Sequence, residues 1–467
     1  MILGGFTALE WLALIERELL LFAGCFFLLG AFDELGIDLA WIWLKLTGRA
    51  RTGRIDRAAA RSHVLAGKAA VLVPAWHEAE VIGATIAHAL AAWPQADLRL
   101  YVGCYRNDPA TAEAVLRAAR GDVRLRLVIH DRAGPTTKAD CLNRLYRALV
   151  EDERRTDESF RMVVLHDAED MVDPAALGLL DAALAEADFV QLPVRPEPQP
   201  HSRWVAGHYC EEFAEAHAKA MVVRDALAAG LPAAGVGCAV SRATLARLVF
   251  EHGGGEGPFS VESLTEDYEL GLRIKALGCR ARFLRMRGED GCLVATRACF
   301  PSGLEAAVRQ KTRWIHGIAF QGWDRLGWSV HPVELWMRMR DRRGPLTAIV
   351  LAAAYLLLVV AAILWAAELA GWGRPWKPDP LVEALLIANF ASFAWRGAMR
   401  FAFTAREYGL VEGFRAVLRI PVANVIAIMA GRRALVAYLR TLDGARPQWD
   451  KTHHDVHPVL MREGAGA

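Results

Sequence analysis

The run "LTAIVLAAAYLLLVVAAILWAA", residues 346–367, constrains this chain more than any other feature. It carries no charge and is long enough to cross a hydrocarbon layer of about 30 Å. A soluble core helix of that length and purity is unusual, so the run predicts a membrane span. The 54% share of hydrophobic residues agrees with this, because the surplus is concentrated near the two chain ends.

Three further apolar segments are less clear. Residues 19–44 are interrupted by acids, which predicts either one span with a protein-facing acidic interior or a bent re-entrant segment. Residues 381–403 contain charges, and residues 420–431 are short and flanked by arginines, so the latter either span or lie in the interface. The interrupting acids of the first segment are Asp33, Glu34 and Asp38.

The basic residues around these segments predict an orientation. Lysines and arginines follow the first segment and precede the run at 346–367, so both flanks of the central region are basic. Such residues stay on the cytoplasmic side, which puts the N-terminus outside. We therefore predict a membrane segment at 1–50, a cytoplasmic domain at 51–340, a membrane region at 341–440 with two spans plus a third span or interfacial helix, and a cytoplasmic polar tail at 441–467.

Composition excludes several classes of protein. A net charge of +2 gives no global preference for nucleic acid, so we expect no nucleic-acid partner. The 8 cysteines include no CxxC pair and indicate reduced, packed thiols. No P-loop of the GxxxxGK[ST] kind occurs.

The central region alternates between strand-like and helical patterns. Apolar strand-like runs occur at 69–75, 98–103, 123–130, 162–167 and 189–194. Helical stretches lie between them at 78–92, 110–120, 138–150 and 175–187. The alternation predicts an α/β domain with a mostly parallel sheet and helices on both faces.

Polar residues collect where these strands end. Ligands of such sheets bind at the carboxyl ends of the strands, so the residues there are predicted to form one site. In chain order they are Pro74, His77 and Glu78, then Asn107 and Asp108, then Lys138, and finally Asp167, Glu169 and Asp170.

The chemistry of these residues points to a charged ligand. Closely spaced carboxylates after a buried strand repel one another, and a hard divalent cation would remove that cost. The alternative for Asp167 and Glu169 is an acidic loop that caps the next helix. Lys138 opens a helix, where a lysine and the helix dipole together favour phosphate, although a solvated lysine is common there. Together they predict a metal-bound nucleoside diphosphate.

Three downstream stretches add candidates. "GVGCAVSR" (235–242) brings small residues, including Gly235, Gly237 and Ser241, that allow close backbone approach to a ligand, or form an ordinary turn. "LTEDYELGLRIKALG" (264–278) puts Glu266 and Asp267 at a helix start, where acids cap helices or serve as a general base. "RQKTRWIHG" (309–317) supplies Gln310, Arg313 and Trp314, which indicate an interface anchor or a diphosphate and sugar contact.

In this order the stretches resemble a membrane-bound family-2 glycosyltransferase with the GT-A fold. "PAWHE" (74–78) is similar to the nucleotide-binding entrance of the family, "KADCLN" (138–143) to its Lys/Asn diphosphate element, and "DAED" to its Asp-x-Asp metal motif. "TED" (265–267) is similar to the motif that carries the acceptor-activating aspartate, and "QKTRW" (310–314) to its Gln-x-x-Arg-Trp motif. "YRNDPAT", "AAGVGCAVSR", "TEDYELG" and "WDKTHHDVHP" further resemble the bacteriophage adsorption protein B subgroup.

The resemblance implies a set of roles. Asp167 and Glu169 would bind Mg²⁺ or Mn²⁺, and the donor would be a nucleoside diphosphate sugar, with a uridine donor preferred. The donor site would comprise Pro74, His77, Glu78, Asn107, Asp108, Lys138, Asn143 and Asp167. The catalytic group would comprise Asp267 as the base with Glu266, Gln310, Arg313 and Trp314, and the acceptor site would comprise Gly235, Gly237, Ser241 and Trp314.

The resemblance also implies a setting for the reaction. It places a multi-pass protein in the bacterial inner membrane, with a glycan or lipid-linked acceptor, inverting transfer, and an outer-membrane or periplasmic export partner. Two departures bear on it. Glu169 replaces the second aspartate of the metal motif, and Asp108 is displaced from the position where many members read uracil. Members of the subgroup often carry an extra C-terminal regulatory domain, and since this chain ends at Ala467 we expect none.

The same residues are compatible with two rival functions. One is a single transfer to a polyprenyl phosphate, which product length would distinguish from polymer synthesis. The other is a non-catalytic inner-membrane scaffold of a phage-adsorption or export system. A tail cluster of His453, His454, Asp455 and His457 suggests either a metal site or, more simply, a polar tail that folds onto the cytoplasmic domain.

Overall fold

A seven-stranded sheet forms the centre of the protein. The computed structural model describes residues 6–50, 52–251, 253, 255, 257–372, 378–444 and 456–465. The strands of the sheet are β1 (Lys68–Pro74), β2 (Leu98–Tyr105), β3 (Leu125–His130), β4 (Phe160–Leu165), β5 (Phe189–Gln191), β6 (Cys238–Ser241) and β7 (Ala281–Phe283). Their spatial order is β3-β2-β1-β4-β6-β5-β7, and β6 runs antiparallel to both neighbours. The predicted mostly parallel sheet is confirmed, with one antiparallel strand that the sequence pattern did not indicate.

Strand β1 shows why the sheet lies in the middle of the domain. Val71 and Val73 belong to one apolar cluster, whereas Ala70 and Leu72 belong to another. Successive side chains of a strand point to opposite faces, so apolar residues cover β1 on both sides. Its residues 69–73 are at most 1% exposed, as expected for a strand of a parallel sheet with helices on both faces.

The helices around the sheet agree with the predicted pattern except at their ends. The helix predicted from residue 78 begins only at Ile82, and the Glu78 N–H donates to Thr111 Oγ1. The helix predicted at 138–150 continues to Thr156. The helices of this layer are Ile82–Ala92, Pro109–Ala119, Lys138–Thr156, Ala176–Ala183, Gly207–Glu215 with a π-helical turn at Ala216–Ala220 and a continuation at Met221–Ala226, Arg242–Glu251 and Glu266–Ala276, with a 3₁₀ turn at Pro200–Ser202.

The strand predicted at 189–194 is wrong at its end. β5 stops at Gln191, and a separate strand, Val194–Pro196, pairs in parallel with Thr296–Ala298. Pro193 stands between them and has no N–H to continue a ladder. A second small pair joins Gly53–Arg54 to Met286–Arg287.

The remaining helices lie toward the two chain ends. Leu304–Ile315 continues through a π-helical turn at His316–Gln321 into Gly322–Leu326. The others are Ala8–Leu46, Arg57–Arg61, Pro332–Arg342, Gly344–Leu369, Pro380–Tyr408, Leu410–Leu418, Ile420–Leu442 and Pro458–Ala465.

Among the described residues, two helices are long and apolar enough to cross a membrane. Gly344–Leu369 has a mean hydropathy of 2.7 and Ile420–Leu442 one of 1.5. The first contains the predicted span at 346–367. The second extends the predicted segment at 420–431 to a length that suits a span by the same criterion. Spans at 19–44 and 381–403 stay predictions.

The acids of the N-terminal helix face protein. Asp33 accepts a hydrogen bond from Trp336 Nε1 at 2.6 Å and pairs with Arg343 at 2.6 Å. Asp38, which is fully buried, lies 2.5 Å from Lys219 Nζ. Ala8–Leu46 is one continuous helix whose acids contact protein, as predicted, and whether it spans the membrane or re-enters it stays a prediction.

Candidate active site

Four charged residues from three parts of the chain meet at the carboxyl edge of the sheet. Asp167 follows β4, Lys138 begins the helix after β3, and Glu266 and Asp267 begin the helix Glu266–Ala276. Lys138 Nζ lies 2.5 Å from Asp167 Oδ1 and 3.8 Å from Glu266 Oε1. The structure therefore brings together residues that are distant in sequence.

Burial dominates the electrostatics of this group. It opposes the charge on Lys138, but Asp167, Glu266 and Asp267 outweigh burial and raise the pKa of Lys138. Burial raises the pKa of Glu266 to about 7, against the opposing charge of Lys138. Burial likewise raises the pKa of Asp267, which makes it a stronger base than an ordinary aspartate.

The loop that carries Asp167 and Glu169 is held by Asp170. Asp170 Oδ2 accepts the Asp167 N–H at 2.9 Å and contacts His166 Nδ1 at 2.8 Å. Asp170 is 1% exposed, and its burial raises the pKa of its carboxyl group. Asp170 thus braces the loop, while Asp167 and Glu169 are half-buried.

The residues after β4 fit a hard divalent cation that shares its ligands with a substrate. Within the described residues, no group of three or more His, Cys, Asp or Glu side chains forms a ready-made metal site. Mg²⁺ is commonly bound through one or two carboxylates plus substrate phosphates and water, and Asp167 and Glu169 supply that number. The Lys138 ammonium group against Asp167 marks this position as one that favours positive charge.

Gly235 lies against the catalytic candidates. A Cβ atom on Gly235 would be 2.5 Å from Asp267 Oδ2 and 3.3 Å from Lys138 Nζ, and its φ is +76°. Gly237 (φ +60°) lies against Thr296 in the same turn. Ser241 is at the other end of β6, opposite Met162, where its Oγ donates a hydrogen bond to Thr244 Oγ1 at 2.8 Å. Ser241 is therefore not brought to the site with the two glycines.

The residues after β1 and β2 brace loops. Pro74 ends β1, and the next loop is held by the His77 N–H, which donates to Asp108 Oδ2 at 2.6 Å. Asp108 also caps the helix Pro109–Ala119. Asn107 exchanges two hydrogen bonds with the backbone of Gly134, at 2.8 and 2.7 Å. The His77 side chain is 63% exposed and faces solvent.

Asn143 has a similar bracing contact. Its side chain donates to the Phe259 carbonyl at 2.8 Å and accepts the Phe259 N–H at 3.0 Å. Asn143 is 1% exposed. Asn143 therefore fixes the segment that leads to Glu266 and Asp267. Direct contact between Asn143 and the nucleotide sugar stays a prediction.

The Gln-x-x-Arg-Trp stretch lies on the helix Leu304–Ile315. Gln310 is 8% exposed, and no described residue donates a hydrogen bond to its Oε1 atom. The charge of Arg313 acts on both Glu266 and Asp267, opposing the rise that burial causes in the pKa of each. Trp314 packs with Tyr209, 6.1 Å between ring centroids, in a cluster with Phe213 and Phe300.

The sequence pattern missed the π-helical turn that follows. Leu264 N–H donates to Gln321 Oε1 at 2.9 Å, and Gly317 lies directly against the Thr265 side chain. The turn thereby holds the start of the helix that carries Asp267. The signal available was the glycine that follows "RWIH", since a glycine inside a helix often marks close approach.

The predicted tail cluster is described only at one residue. His453, His454 and Asp455 lie outside the described residues. His457 is fully buried, and its Nε2 lies 3.3 Å from the Asp170 carbonyl. The tail therefore contacts the loop that carries the metal candidates.

Known proteins resemble this chain in sequence and in fold. Residues 66–317 match the sequence model of a family described as glycosyltransferase like family 2. The chain is 35% identical over 413 residues to bacteriophage adsorption protein B of Escherichia coli (strain K12), covering 84% of this chain and 55% of that protein. Bacteriophage N4 adsorption protein B of Escherichia coli O157:H7 gives the same values. The chain thus spans 55% of the length of these curated relatives.

One solved structure supports the fold. A mannosyltransferase from Pyrobaculum calidifontis, in complex with GDP-Man and Mn²⁺, superposes with a TM-score of 0.50 at 19% identity. The match covers 87% of this chain and 99% of that one. The predicted GT-A fold is confirmed.

Proposed function

Because the chain belongs to glycosyltransferase family 2, we propose that this glycosyltransferase moves a sugar from a nucleoside diphosphate sugar to a glycan or lipid-linked acceptor, with inversion. The observation that carries the proposal is the convergence of Lys138, Asp167, Glu266 and Asp267 at one sheet edge. The carboxyl edge is where such sheets bind ligands. We keep a uridine donor as the preferred one.

Donor binding would use the charges of the edge. Asp167 and Glu169 would hold Mg²⁺ or Mn²⁺, which as a Lewis acid would stabilise the diphosphate leaving group. Lys138 would exchange its contact with Asp167 for the diphosphate, because the cation takes over neutralisation of that carboxylate. Arg313 adds fixed positive charge from the other side.

Proton transfer would rest on Asp267. Its Oδ1 accepts the Tyr268 N–H at 2.7 Å, which orients the carboxylate, and its Oδ2 faces the bare Cα of Gly235. We propose that Oδ2 accepts the proton of the acceptor hydroxyl as that oxygen attacks the sugar carbon. The raised pKa of Asp267, caused mainly by burial, suits a general base. The orphan Oε1 of Gln310 would accept from a sugar hydroxyl.

The membrane setting is part of the proposal. The two apolar helices Gly344–Leu369 and Ile420–Leu442 support attachment to a bilayer. We propose spans in 1–50 and 341–440, a cytoplasmic catalytic domain at 51–340 and a bacterial inner-membrane location. An export partner in the periplasm or outer membrane would take the product, as the similarity to phage adsorption proteins suggests.

The test is turnover by the purified protein in detergent with a panel of uridine diphosphate sugars and GDP-mannose, with Mn²⁺, Mg²⁺ or EDTA. GDP-mannose is included because the similar Pyrobaculum calidifontis enzyme binds it. We expect one donor to be consumed only with metal. Asp267→Asn should lower transfer by about 10²- to 10⁴-fold, the range of general base catalysis, while metal-dependent nucleotide binding persists. Near-normal transfer by this variant would refute the assignment of the base.

Product length then separates two outcomes. Polymeric product indicates a synthase, and a single sugar on a polyprenyl phosphate indicates one-step transfer.

Asp167→Asn serves as the variant matched to Asp267→Asn, because it should weaken metal-dependent nucleotide binding as well as transfer.

A further inference from the structure

The loop between β4 and the helix Ala176–Ala183 is fastened through its backbone carbonyl groups. Thr85 Oγ1 donates to the Ala168 carbonyl at 2.5 Å. His88 Nε2 lies 2.9 Å from the Val172 carbonyl, and Trp93 Nε1 donates to the Asp173 carbonyl at 3.0 Å. These three donors come from the helix Ile82–Ala92 and the residue that ends it.

The Arg297 N–H donates to the Met171 carbonyl at 2.9 Å, and the C-terminal tail supplies a further donor. His457 Nε2 lies 3.3 Å from the Asp170 carbonyl, between the carbonyls that the helix holds. The other ring nitrogen, Nδ1, accepts the Val459 N–H at 3.2 Å. This bond fixes the tautomer, because a nitrogen that accepts a hydrogen bond leaves the proton on Nε2.

The tail is packed at this place, since His457 is fully buried. Met461 Sδ lies 3.4 Å from Cys299 Sγ, and the helix Pro458–Ala465 lies against Ile82–Ala92. Residue 170, whose carbonyl the tail contacts, is also the residue whose side chain holds the Asp167 N–H.

We propose that residues 456–461 act as a clamp on the loop 166–173, with His457 as a positioning residue for Asp167 and Glu169. The clamp deepens the proposed function, on which its effect on metal binding rests. Without the tail, the Asp170 carbonyl loses its donor, and the loop that presents Asp167 gains freedom. Ordering that loop on metal binding then costs more free energy.

The first test does not depend on turnover. Hydrogen exchange of the peptide that covers 166–173 is measured in the metal-free full-length protein, for wild type and His457→Ala. We expect exchange between about two- and ten-fold faster in the variant, the range of one net hydrogen bond. His457→Gln should restore slow exchange, because its amide N–H can donate in place of Nε2. His201→Ala, at an exposed histidine, is the matched control.

The second test is a Mn²⁺ titration of nucleoside diphosphate binding by the same variants. We expect His457→Ala to raise the half-saturating Mn²⁺ concentration by a similar factor, with turnover at saturating metal nearly retained. Unchanged exchange at 166–173 in His457→Ala would overturn the clamp. If wild type binds no nucleotide at all, the proposed function fails, and the exchange result still decides whether the tail holds the loop.

Discussion

A single methyl group at Gly235 should disable the proposed base without unfolding the protein. Gly235 has φ +76°, and an added Cβ would lie 2.5 Å from Asp267 Oδ2, where ordinary contact begins at 3.4 Å. The carboxylate would have to move by about 1 Å, and such a misplacement of a reacting group can cost about 10²-fold in rate. We therefore expect Gly235→Ala to lower kcat by about 100-fold.

The backbone cost of this change can be measured separately. A non-glycine residue in the left-handed region costs about 1 kcal/mol, which would lower Tm by about 2–4 °C in a domain of this size. Gly278→Ala is the matched control, because Gly278 has φ +74° and no atom within 4 Å of an added Cβ.

The assay is donor consumption with Mn²⁺, alongside thermal unfolding of both variants. Both variants should lose similar stability, and only Gly235→Ala should lose turnover. Equal turnover in the two variants would refute the placement of Asp267 against Gly235 as the catalytic arrangement.

Three further predictions concern stability and reactivity. Burial raises the pKa of Glu266 from 4.5 to about 7, so the folded protein holds an extra proton between these values and its stability falls as pH rises through them. The free energy of unfolding of Glu266→Gln, measured with urea, should therefore gain about 2 kcal/mol on that of wild type between pH 5 and pH 8. The same difference between variant and wild type at both pH values would contradict this. Asn143→Ala should cost about 2–4 kcal/mol, because it leaves the buried Phe259 N–H and carbonyl without partners; the same change at the exposed Asn107 should cost less than about 1 kcal/mol, and equal losses would argue against the role of burial. A water-soluble maleimide should label Cys292 in the native protein and should label the six buried cysteines only after denaturation, whereas Cys25 lies in the proposed N-terminal span; native labelling of any of the six would be contrary to their packing.

Local pattern was sufficient for much of the fold. The burial of β1 on both faces follows from residues 69–73 alone, because both faces of a covered parallel strand must be apolar. The gathering of Lys138 and Asp167 also followed from position, because the carboxyl ends of parallel strands share one edge.

Other features depended on contacts that a linear pattern does not contain. The antiparallel β6 places Ser241 away from Gly235, and only the pairing with Met162 reveals this. Asp170 is chemically equivalent to Asp167 in the sequence, and the two differ in role because one accepts the N–H of the other. The partners of Asp38 and of His457 are remote in sequence, so no local signal could name them.

The position of Lys138 bears on the stability of the metal-free protein. The Lys138 ammonium group offsets part of the repulsion among Asp167, Glu266 and Asp267, so the carboxylate edge depends less on a bound cation. Some small metal-binding domains fold only when metal is supplied, whereas this site carries an internal counter-ion. If activity needs a divalent cation, as proposed, removing that cation should stop turnover while the protein stays folded.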